Sequence, residues 1–111
     1  MDTIRLEDFQ RVEMRVGTVL SASLNEKARK PAWVMEIDFG PELGTRHSSA
    51  QLTELYDRDD LVGTQIVAVM NFPPLRIAGV KSEVLVLGIL DSQGVVLLRP
   101  ERGVGNGIRI A

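Results

Sequence analysis

The chain of 111 residues contains no cysteine. Disulfide bonds and thiolate metal sites are therefore excluded, and the absence fits a reducing compartment. The single histidine, His47, has no cysteine partners and is a poor basis for a metal site. We expect the protein to hold no metal and no other cofactor.

A catalytic constellation is also missing. His47 is followed by Ser48 and Ser49, but adjacent residues of a strand point to opposite faces of a sheet. No acid, base and nucleophile can be named that would act together. The glycines near the C-terminus do not lie between a strand and a helix, so they are not a nucleotide-binding fingerprint. We therefore expect no enzymatic activity.

Long apolar runs and a secretory signal are absent as well. The longest apolar runs are far shorter than the roughly 18 residues of a membrane span. The residues after Met1 do not show the basic and then apolar pattern of a signal peptide. We expect a cytoplasmic protein that does not insert into membranes.

The sequence has no excess of positive charge. Its 13 lysines and arginines stand against 15 acidic residues, which gives a net charge of −2. Non-specific nucleic-acid binding depends on clustered cations that neutralise phosphates. Any RNA binding must therefore use a local basic patch.

What the sequence does contain is the alternation of apolar and polar residues that is typical of strands. A chain of this length forms one domain. Strands are predicted over about 12–24, 33–39, 45–51, 65–71, 83–90 and 95–99. Polar and glycine-containing segments separate these runs, so the protein is predicted to be mainly β.

The first predicted strand is the longest. Its apolar face consists of Val12, Met14, Val16, Thr18, Leu20, Ala22 and Leu24. Gly17 lies within this run and predicts a bend or bulge. Short helical segments are predicted at 3–11, with Thr3 as a cap, and within 52–63, with caps at Thr53 and Asp57.

About five strands, with a short helix between the third and the fourth, is the element order of an OB-fold barrel. We predict a single OB-fold domain over residues 1–111, with a barrel core at about 12–99 and N- and C-terminal extensions. Such barrels bind ligands on strands two and three and with the loops that join strands one to two and four to five. In this chain those loops are residues 25–32 and 71–82.

Five sequence blocks carry a resemblance to a known family. They are DFQRVEMRVG at 8–17, ARKPAW at 28–33, DFG at 38–40, SSAQLT at 48–53 and NFPPLRIAGVKSEVLVLG at 71–88. The chain resembles the CsaA family of export-related chaperones, which lies within the larger family of tRNA-binding OB-fold domains. The resemblance implies an OB fold and a homodimer built with the terminal extensions.

The chain departs in one place from many tRNA-binding domains. Those domains have Gly and Met after a Ser-Glu or Ser-Gln pair, whereas this chain has Val84 and Leu85 after Ser82 and Glu83. The departure is the CsaA-like form. It weakens an assignment to tRNA binding alone.

Cations gather in and near the two predicted ligand loops. The residues that could meet phosphates are Lys27, Arg29, Lys30, Arg46, Arg76 and Lys81. The alternative interpretation is a solvated surface with scattered charge. Convergence of the two loops on one face of the barrel favours the binding interpretation.

The sole tryptophan, Trp33, opens the second strand directly after the basic loop. Its ring could stack on a base or accept an apolar side chain. Because it shares the apolar parity of Met35 and Ile37, a position in the core is the alternative. The sequence leaves both open.

The second loop begins with Phe72, Pro73 and Pro74, which could form a rigid apolar shelf. A purely structural corner is the alternative. The resemblance implies that Asn71, Ser82 and Glu83 match positions where tRNA-binding domains keep polar residues beside their RNA site.

Two functions follow for one face of the barrel. In the leading hypothesis, a CsaA-like chaperone binds unfolded or pre-secretory polypeptides to assist export, and Trp33, Phe72 and Pro73 accept their apolar side chains. Polar contacts would come from Arg46, Ser48, Ser49, Gln51, Asn71, Ser82 and Glu83. The alternative is structure-specific tRNA binding, with Lys27, Arg29, Lys30, Arg76 and Lys81 on phosphates.

The tail after Pro100 is rich in glycine yet keeps three apolar residues, Val104, Ile108 and Ile110. Little of the domain remains to bury them, and a barrel has exposed strand edges. Pairing across a two-fold axis would cover both. A homodimer is therefore predicted.

Overall fold

A computed structural model describes all of residues 1–111. The elements in chain order are α1 (Leu6–Gln10), β1 (Met14–Leu24), β2 (Trp33–Asp38), α2 (Gly40–Leu43), β3 (Thr45–Ala50), α3 (Arg58–Leu61), β4 (Gln65–Val69), β5 (Leu75–Ile77), β6 (Val80–Ser82), β7 (Leu85–Val86), β8 (Gly88–Asp91) and β9 (Gly94–Leu97). Five strands form one antiparallel sheet in the order β3-β2-β1-β4-β7, and β5-β6 and β8-β9 form separate hairpins. The predicted mainly β, five-stranded architecture with few short helices is confirmed.

β1 is the strand around which the barrel is built. Its first part pairs with β4, from Met14 opposite Val69 to Thr18 opposite Gln65. Its second part pairs with β2 and ends with Leu24 opposite Trp33. The sheet can curl into a barrel because the two parts of this long strand pair with different neighbours.

The bulge in β1 lies between Val19 and Ser21, not at Gly17 as predicted. The register shift places Val19 in the core and leaves Leu20 and Leu24 exposed by 46% and 56%. Before the bulge the parity that faces the core is the opposite of the predicted one; beyond it Ala22 lies in the core as predicted, whereas Leu24 does not. An extra residue in one strand reverses the alternation that follows it.

Gly17 is required for packing rather than for bending. It pairs regularly with Ile66, and a Cβ atom there would lie 2.7 Å from a methyl carbon of Ile37 and from the ring of Phe39. Real Cβ contacts are not this short, so a side chain would push the core apart. The glycine lets β1 approach β2 closely.

The core lies inside the barrel and consists of side chains from all of its walls. Its members are Val19, Ala22, Met35, Ile37, Phe39, Leu52, Leu61, Ile66, Ala68, Val84 and Leu97. Full burial of one large aliphatic or aromatic side chain stabilises the fold by about 1.5–3 kcal/mol. Trp33 and Tyr56 pack against this cluster from its edge.

The barrel closes between β3 and residues 82–84 mainly through side chains. One main-chain hydrogen bond crosses this seam, from the N–H of Glu83 to the carbonyl of His47 at 2.8 Å. The N–H of His47 donates to Glu83 Oε1 at 3.1 Å, and the N–H of Ser49 donates to Ser82 Oγ at 3.1 Å. Ser48 Oγ adds a bond to the carbonyl of Val84 at 3.1 Å.

The helices are shorter than predicted. α1 begins at Leu6 rather than being capped at Thr3, and Asp8 accepts a hydrogen bond from the N–H of Arg5 at 3.0 Å. α3 begins after Asp57, whose N–H donates to Asp60 at 2.9 Å. The Asp57 cap position is thus confirmed, whereas Thr53 lies in a turn. None of the three helices is long and apolar enough to cross a membrane.

The predicted loop 71–82 contains a hairpin. β5 and β6 pair with Ile77 opposite Val80, and the turn residues Ala78 and Gly79 have φ angles of 47° and 85°. Consecutive positive φ angles are typical of the type I′ turn, whose twist matches that of two paired strands. The predicted strand 83–90 is divided into β7 and β8, since Leu87 belongs to neither.

The C-terminal segment adds to the barrel beside the first half of β1. The N–H of Gly107 donates to the carbonyl of Val16 at 2.7 Å, and the N–H of Ile110 donates to the carbonyl of Met14 at 3.0 Å. The N–H of Val16 donates in turn to the carbonyl of Ile108 at 3.0 Å. Residues 107–110 are therefore held by the same chain, although the Ile108 side chain stays 52% exposed.

Candidate ligand-binding cleft

A cleft of about 550 Å³ opens at the end of the barrel where the second half of β1 meets β2. Three structures form it: the loop 25–32, which we call the basic loop, the end of β3 and the tip of the β5–β6 hairpin. Its lining residues are Lys27, Ala28, Arg29, Lys30, Ala32, Ser49, Gln51, Ile77 and Ala78. The cleft thus unites both ligand loops predicted from the sequence.

The cations of the basic loop are unpaired. Lys27, Arg29 and Lys30 form no salt bridge within the chain, and each is exposed. The aliphatic part of Lys27 lies near Gly79 at the tip of the hairpin. Three neighbouring cations without internal partners are available to an anionic ligand.

Two predicted polar residues form the third wall. Gln51 is exposed, while Ser49 Oγ is buried and has no hydrogen-bond partner. An unsatisfied buried hydroxyl is uncommon because it loses the hydrogen bonds that water would supply. Its position in the lining of the cleft is the reason to keep Ser49 among the candidate residues.

Asn25 is a residue of this region that sequence reasoning missed. Its Nδ2 donates to the carbonyl of Ile77 at 3.2 Å, and its Oδ1 accepts from the N–H of Lys27 at 3.2 Å. An asparagine at the start of a polar loop is typical of such Asx turns, so the local part was visible in the sequence. The bond to the hairpin was not, because it spans 52 positions.

The other predicted cations do not converge on the cleft. Arg76 lies directly opposite Lys81 on β5 and β6, and Ile77, which lines the cleft, occupies the alternate face of that hairpin. Arg46 donates from Nε to the carbonyl of Leu43 at 3.3 Å, toward the other end of β3. The predicted patch of six cations is therefore divided among separate surfaces.

Ser48, Ser82 and Glu83 form the seam that closes the barrel. Ser48 and Ser82 are buried, and their hydroxyl groups lie 3.5 Å apart. Glu83 Oε1 also lies 3.5 Å from Nδ1 of His47. The resemblance-based ligand contacts at Ser82 and Glu83 remain predictions, but the structure gives these residues a structural role.

Trp33 is half-buried, packs against the core and does not line the cleft. Its Nε1 donates to the carbonyl of Tyr56 at 2.9 Å. The hydroxyl of Tyr56 accepts from the N–H of Leu97 at 3.0 Å, and Arg99 lies 5.5 Å above the Tyr56 ring centre. This arrangement favours the core interpretation of Trp33.

Phe72 and the prolines after it form an exposed apolar stretch outside the cleft. Phe72 and Leu75 are exposed by 52% and 66%. The preceding Asn71 fixes this stretch, because its Oδ1 accepts from the N–H of Glu13 at 3.0 Å and its Nδ2 donates to the carbonyl of Arg11 at 2.7 Å. Both polar groups of the Asn71 amide are therefore used within the chain. We call residues 72–75 the apolar shelf.

A second cleft, of about 500 Å³, lies where the C-terminal segment meets α2. Its two arginines are paired: Arg15 lies 3.1 Å and Arg109 3.7 Å from the carboxylate of Glu13. Arg15 also donates to the carbonyl of Gly107 at 3.1 Å. The arginines of this cleft are therefore paired within the chain, whereas the cations of the basic loop are not.

No group of three or more acidic or histidine side chains is placed to hold a metal ion.

An almost closed five-stranded barrel, with a cation-lined cleft at one end, defines a small OB-fold binding domain. The family described as "Putative tRNA binding domain" matches residues 14–109. The chain belongs to this family and is of the CsaA type within it. The family resemblance stated from the sequence is confirmed.

Two solved structures match over their whole length. The chain is 51% identical to chaperone CsaA from Bacillus anthracis str. Ames, with a TM-score of 0.92 and coverage of 99% of this chain and 100% of the other. It is 44% identical to the CsaA chaperone protein from Picrophilus torridus, with a TM-score of 0.93 and coverage of 98% and 100%. These matches confirm the OB fold.

Curated relatives include much longer proteins. The chain is 31% identical over 110 residues to the methionine–tRNA ligase of Thermococcus onnurineus, and 33% identical over 107 residues to that of Methanococcoides burtonii. These alignments cover 99% and 96% of this chain. The chain spans only 15% of the length of each ligase.

Proposed function

We propose that the protein is a non-catalytic chaperone of the CsaA type, which binds unfolded or pre-secretory polypeptides in the cytoplasm and assists their export. The observation that carries this proposal is the likeness to chaperone CsaA over the full length of both chains. The ligases share only a region that is 15% of their length, so their catalytic activity is not transferred to this chain.

The apolar shelf provides the proposed contact for a polypeptide. Phe72 and Leu75 are exposed, and Pro73 and Pro74 restrict the backbone between them. A restricted loop loses less conformational entropy when it binds. Apolar contacts discriminate weakly between similar side chains, so loose sequence preference is expected.

A homodimer is the second part of the proposal. Val16 and Val67 are paired and buried, yet they do not belong to the core cluster, so β1 and β4 carry a second apolar layer on their outer face. Val69 belongs to the same layer, and its cross-strand partner Leu85 is half-exposed. The valines are already buried within the single chain, so a second copy would pack on the exposed Leu85 and Ile108 beside this layer.

α1 adds to the surface available to a partner copy. The helix buries none of its residues, and Leu6 is largely exposed, as is Ile4 just before the helix. Short helices are marginal in water without packing. Contact with a second copy would provide that packing and would bring two shelves together, which increases avidity for long polypeptides.

Binding of tRNA is the second candidate function, and the unpaired cations of the basic loop favour it. Lys27, Arg29 and Lys30 line the cleft without salt-bridge partners. No aromatic side chain lines the cleft, so recognition there would use phosphates and RNA shape rather than base stacking.

The test measures fluorescence anisotropy of a labelled unfolded peptide and of labelled tRNA, each titrated with the full chain at two salt concentrations. The chaperone proposal expects peptide binding that hardly changes with salt, and binding that falls in Phe72→Ala. The tRNA candidate expects affinity that drops steeply as salt rises. Peptide binding that is absent or unaffected by Phe72→Ala would refute the shelf as the polypeptide site.

The dimer is tested separately by analytical ultracentrifugation at micromolar concentration. Leu85→Asp should dissociate the dimer, because it places a charge in the outer apolar layer. Leu90→Asp is a matched control, since Leu90 is more exposed and lies on β8. A full-length chain that sediments as a monomer would contradict the dimer.

A further inference from the structure

The two walls of the cleft are joined by one side chain. Asn25 is 8% exposed, although it is polar and lies at the start of a surface loop. The bond from its Nδ2 to the carbonyl of Ile77, at 3.2 Å, is the only hydrogen bond between the basic loop and the β5–β6 hairpin. A buried asparagine that bridges two segments determines how far apart they lie.

Asn25 also shapes the basic loop itself. Its main-chain N–H donates to the carbonyl of Ala32 at 2.9 Å, which closes the loop. Its carbonyl accepts from Ala28 at 3.2 Å, and its Oδ1 accepts from Lys27 at 3.2 Å. Hydrogen bonds of Asn25 therefore fix the conformation of the basic loop, which carries the three cations.

The tip of the hairpin has no other hydrogen bond to the rest of the barrel, because the bond from Arg76 to the carbonyl of Gly79, at 3.3 Å, lies within the hairpin. At its base, Ser82 is bonded to the N–H of Ser49. At its tip, Ala78 adopts a φ of 47°, which is uncommon for a residue other than glycine and costs conformational energy. The bond from Asn25 is therefore the one hydrogen bond that restrains the tip relative to the basic loop.

We propose that Asn25 is the positioning residue of the cleft: it holds the cationic wall and the hairpin wall at one spacing, and so raises tRNA affinity without contacting tRNA. The proposal rests on the second candidate function, tRNA binding by the basic loop. A cleft that has the right spacing only part of the time binds with an affinity reduced by that fraction.

Amide hydrogen exchange tests the positioning role without any ligand. Asn25→Ala should increase exchange at the hairpin residues 77–80 as well as within the basic loop. Asn25→Asp keeps the acceptor for Lys27 but removes the donor to Ile77, so it should increase exchange in the hairpin while the loop stays protected. Unchanged exchange at 77–80 in both variants would overturn the proposal.

A matched control comes from the other end of the barrel. Asn106 is another bridging asparagine, half-buried rather than buried, and its Oδ1 accepts from Thr18 at 2.8 Å. Asn106→Ala should increase exchange near the C-terminal segment and leave residues 77–80 unchanged. Equal effects of both alanine variants on the hairpin would show general loosening and would overturn the positioning role.

Binding of labelled tRNA supplies the second readout. Asn25→Ala should weaken tRNA binding roughly tenfold, the effect of losing one buried hydrogen bond. Its salt dependence should match that of the unmodified protein because all three cations remain. Lys30→Glu should weaken binding and also lower the salt slope by about 1. Wild-type affinity in Asn25→Ala would contradict the proposal.

Failure of the positioning role and failure of tRNA binding are distinguishable. If the unmodified protein does not bind tRNA at any salt concentration, the second candidate function is refuted and the claim about tRNA affinity falls with it. The exchange data then still decide whether Asn25 couples the two walls. If tRNA binds but Asn25→Ala changes neither exchange nor affinity, only the positioning role is refuted.

Discussion

The two ends of the barrel are bridged by similar residues and differ in how their cations are paired. At one end Asn25 links the basic loop to the hairpin, and the cations beside it have no partners. At the other end Asn106 links Thr18, Gln65 and the C-terminal segment, and the neighbouring arginines are paired with Glu13. We call these the open end and the closed end.

The difference in charge pairing is the basis for placing the proposed ligand site at the open end. Arg15 at the closed end uses its guanidinium on Glu13 and on the carbonyl of Gly107. Lys30 at the open end lines a cleft and has no internal partner. An exposed, unpaired cation stabilises little by itself. A cluster of three such cations is better explained by binding than by folding.

The largest expected effect comes from removing the closed end. Deleting residues 104–111 removes three main-chain hydrogen bonds to β1, two of which are made by Val16. We expect a loss of about 3 kcal/mol or more of unfolding free energy, or an insoluble product. Thermal unfolding by circular dichroism measures the loss. Removal of Ala111 alone, which should change nothing, is the control, and a truncated protein with full stability would contradict the closed end as a structural element.

The next effect tests the packing between β1 and β2. Gly17→Ala places a methyl group 2.7 Å from Ile37 and Phe39, so the core must shift. We expect a loss of about 1–3 kcal/mol in urea unfolding. Gly103→Ala is the matched control because no atom lies within 4 Å of its added methyl group. Equal stability of the two variants would show that Gly17 is not required for packing.

Charge reversal at the open end should change tRNA affinity, whereas charge reversal at the closed end should change stability. Lys30→Glu at the open end should weaken tRNA binding about fivefold to tenfold and leave the melting temperature unchanged. Arg109→Glu at the closed end loses its pairing with Glu13, so it should lower stability and leave tRNA affinity at wild-type values. Anisotropy and thermal melting of both variants give the comparison. A loss of affinity that is larger in Arg109→Glu would reverse the assignment of the two ends.

The smallest effect concerns two neighbouring serines of β3. Ser48→Ala removes a buried bond to the carbonyl of Val84 and should cost about 1 kcal/mol. Ser49→Ala removes a hydroxyl that has no partner, so stability should stay equal or rise by up to about 1 kcal/mol. Chemical denaturation of both proteins checks the contrast. A larger loss in Ser49→Ala would mean that its hydroxyl is bonded in solution.

Sequence reasoning predicted that the two loops meet, and they do, but it placed more residues beside them than the cleft contains. The polar loop with Lys27 and Lys30 and the proline-containing loop were both expected at one face, and the cleft unites them. Phe72 was expected beside them and lies outside the cleft. For Trp33 the sequence left both a binding and a core position open, because local alternation does not reveal which apolar residues the core accepts; the structure packs it against the core. Asn25 was missed, because its bond to the hairpin joins residues far apart in sequence.

The sequence by itself determined the family and excluded thiolate chemistry: it showed no cysteine, six strand-like runs of a mainly β chain and the blocks typical of the CsaA type. These follow from residue type and local periodicity, which do not depend on distant contacts. Only the tertiary structure decided the bulge after Val19, the pairing of residues 107–110 with β1, and which cations remain without partners. Those features depend on register and on long-range contacts, which local periodicity does not specify.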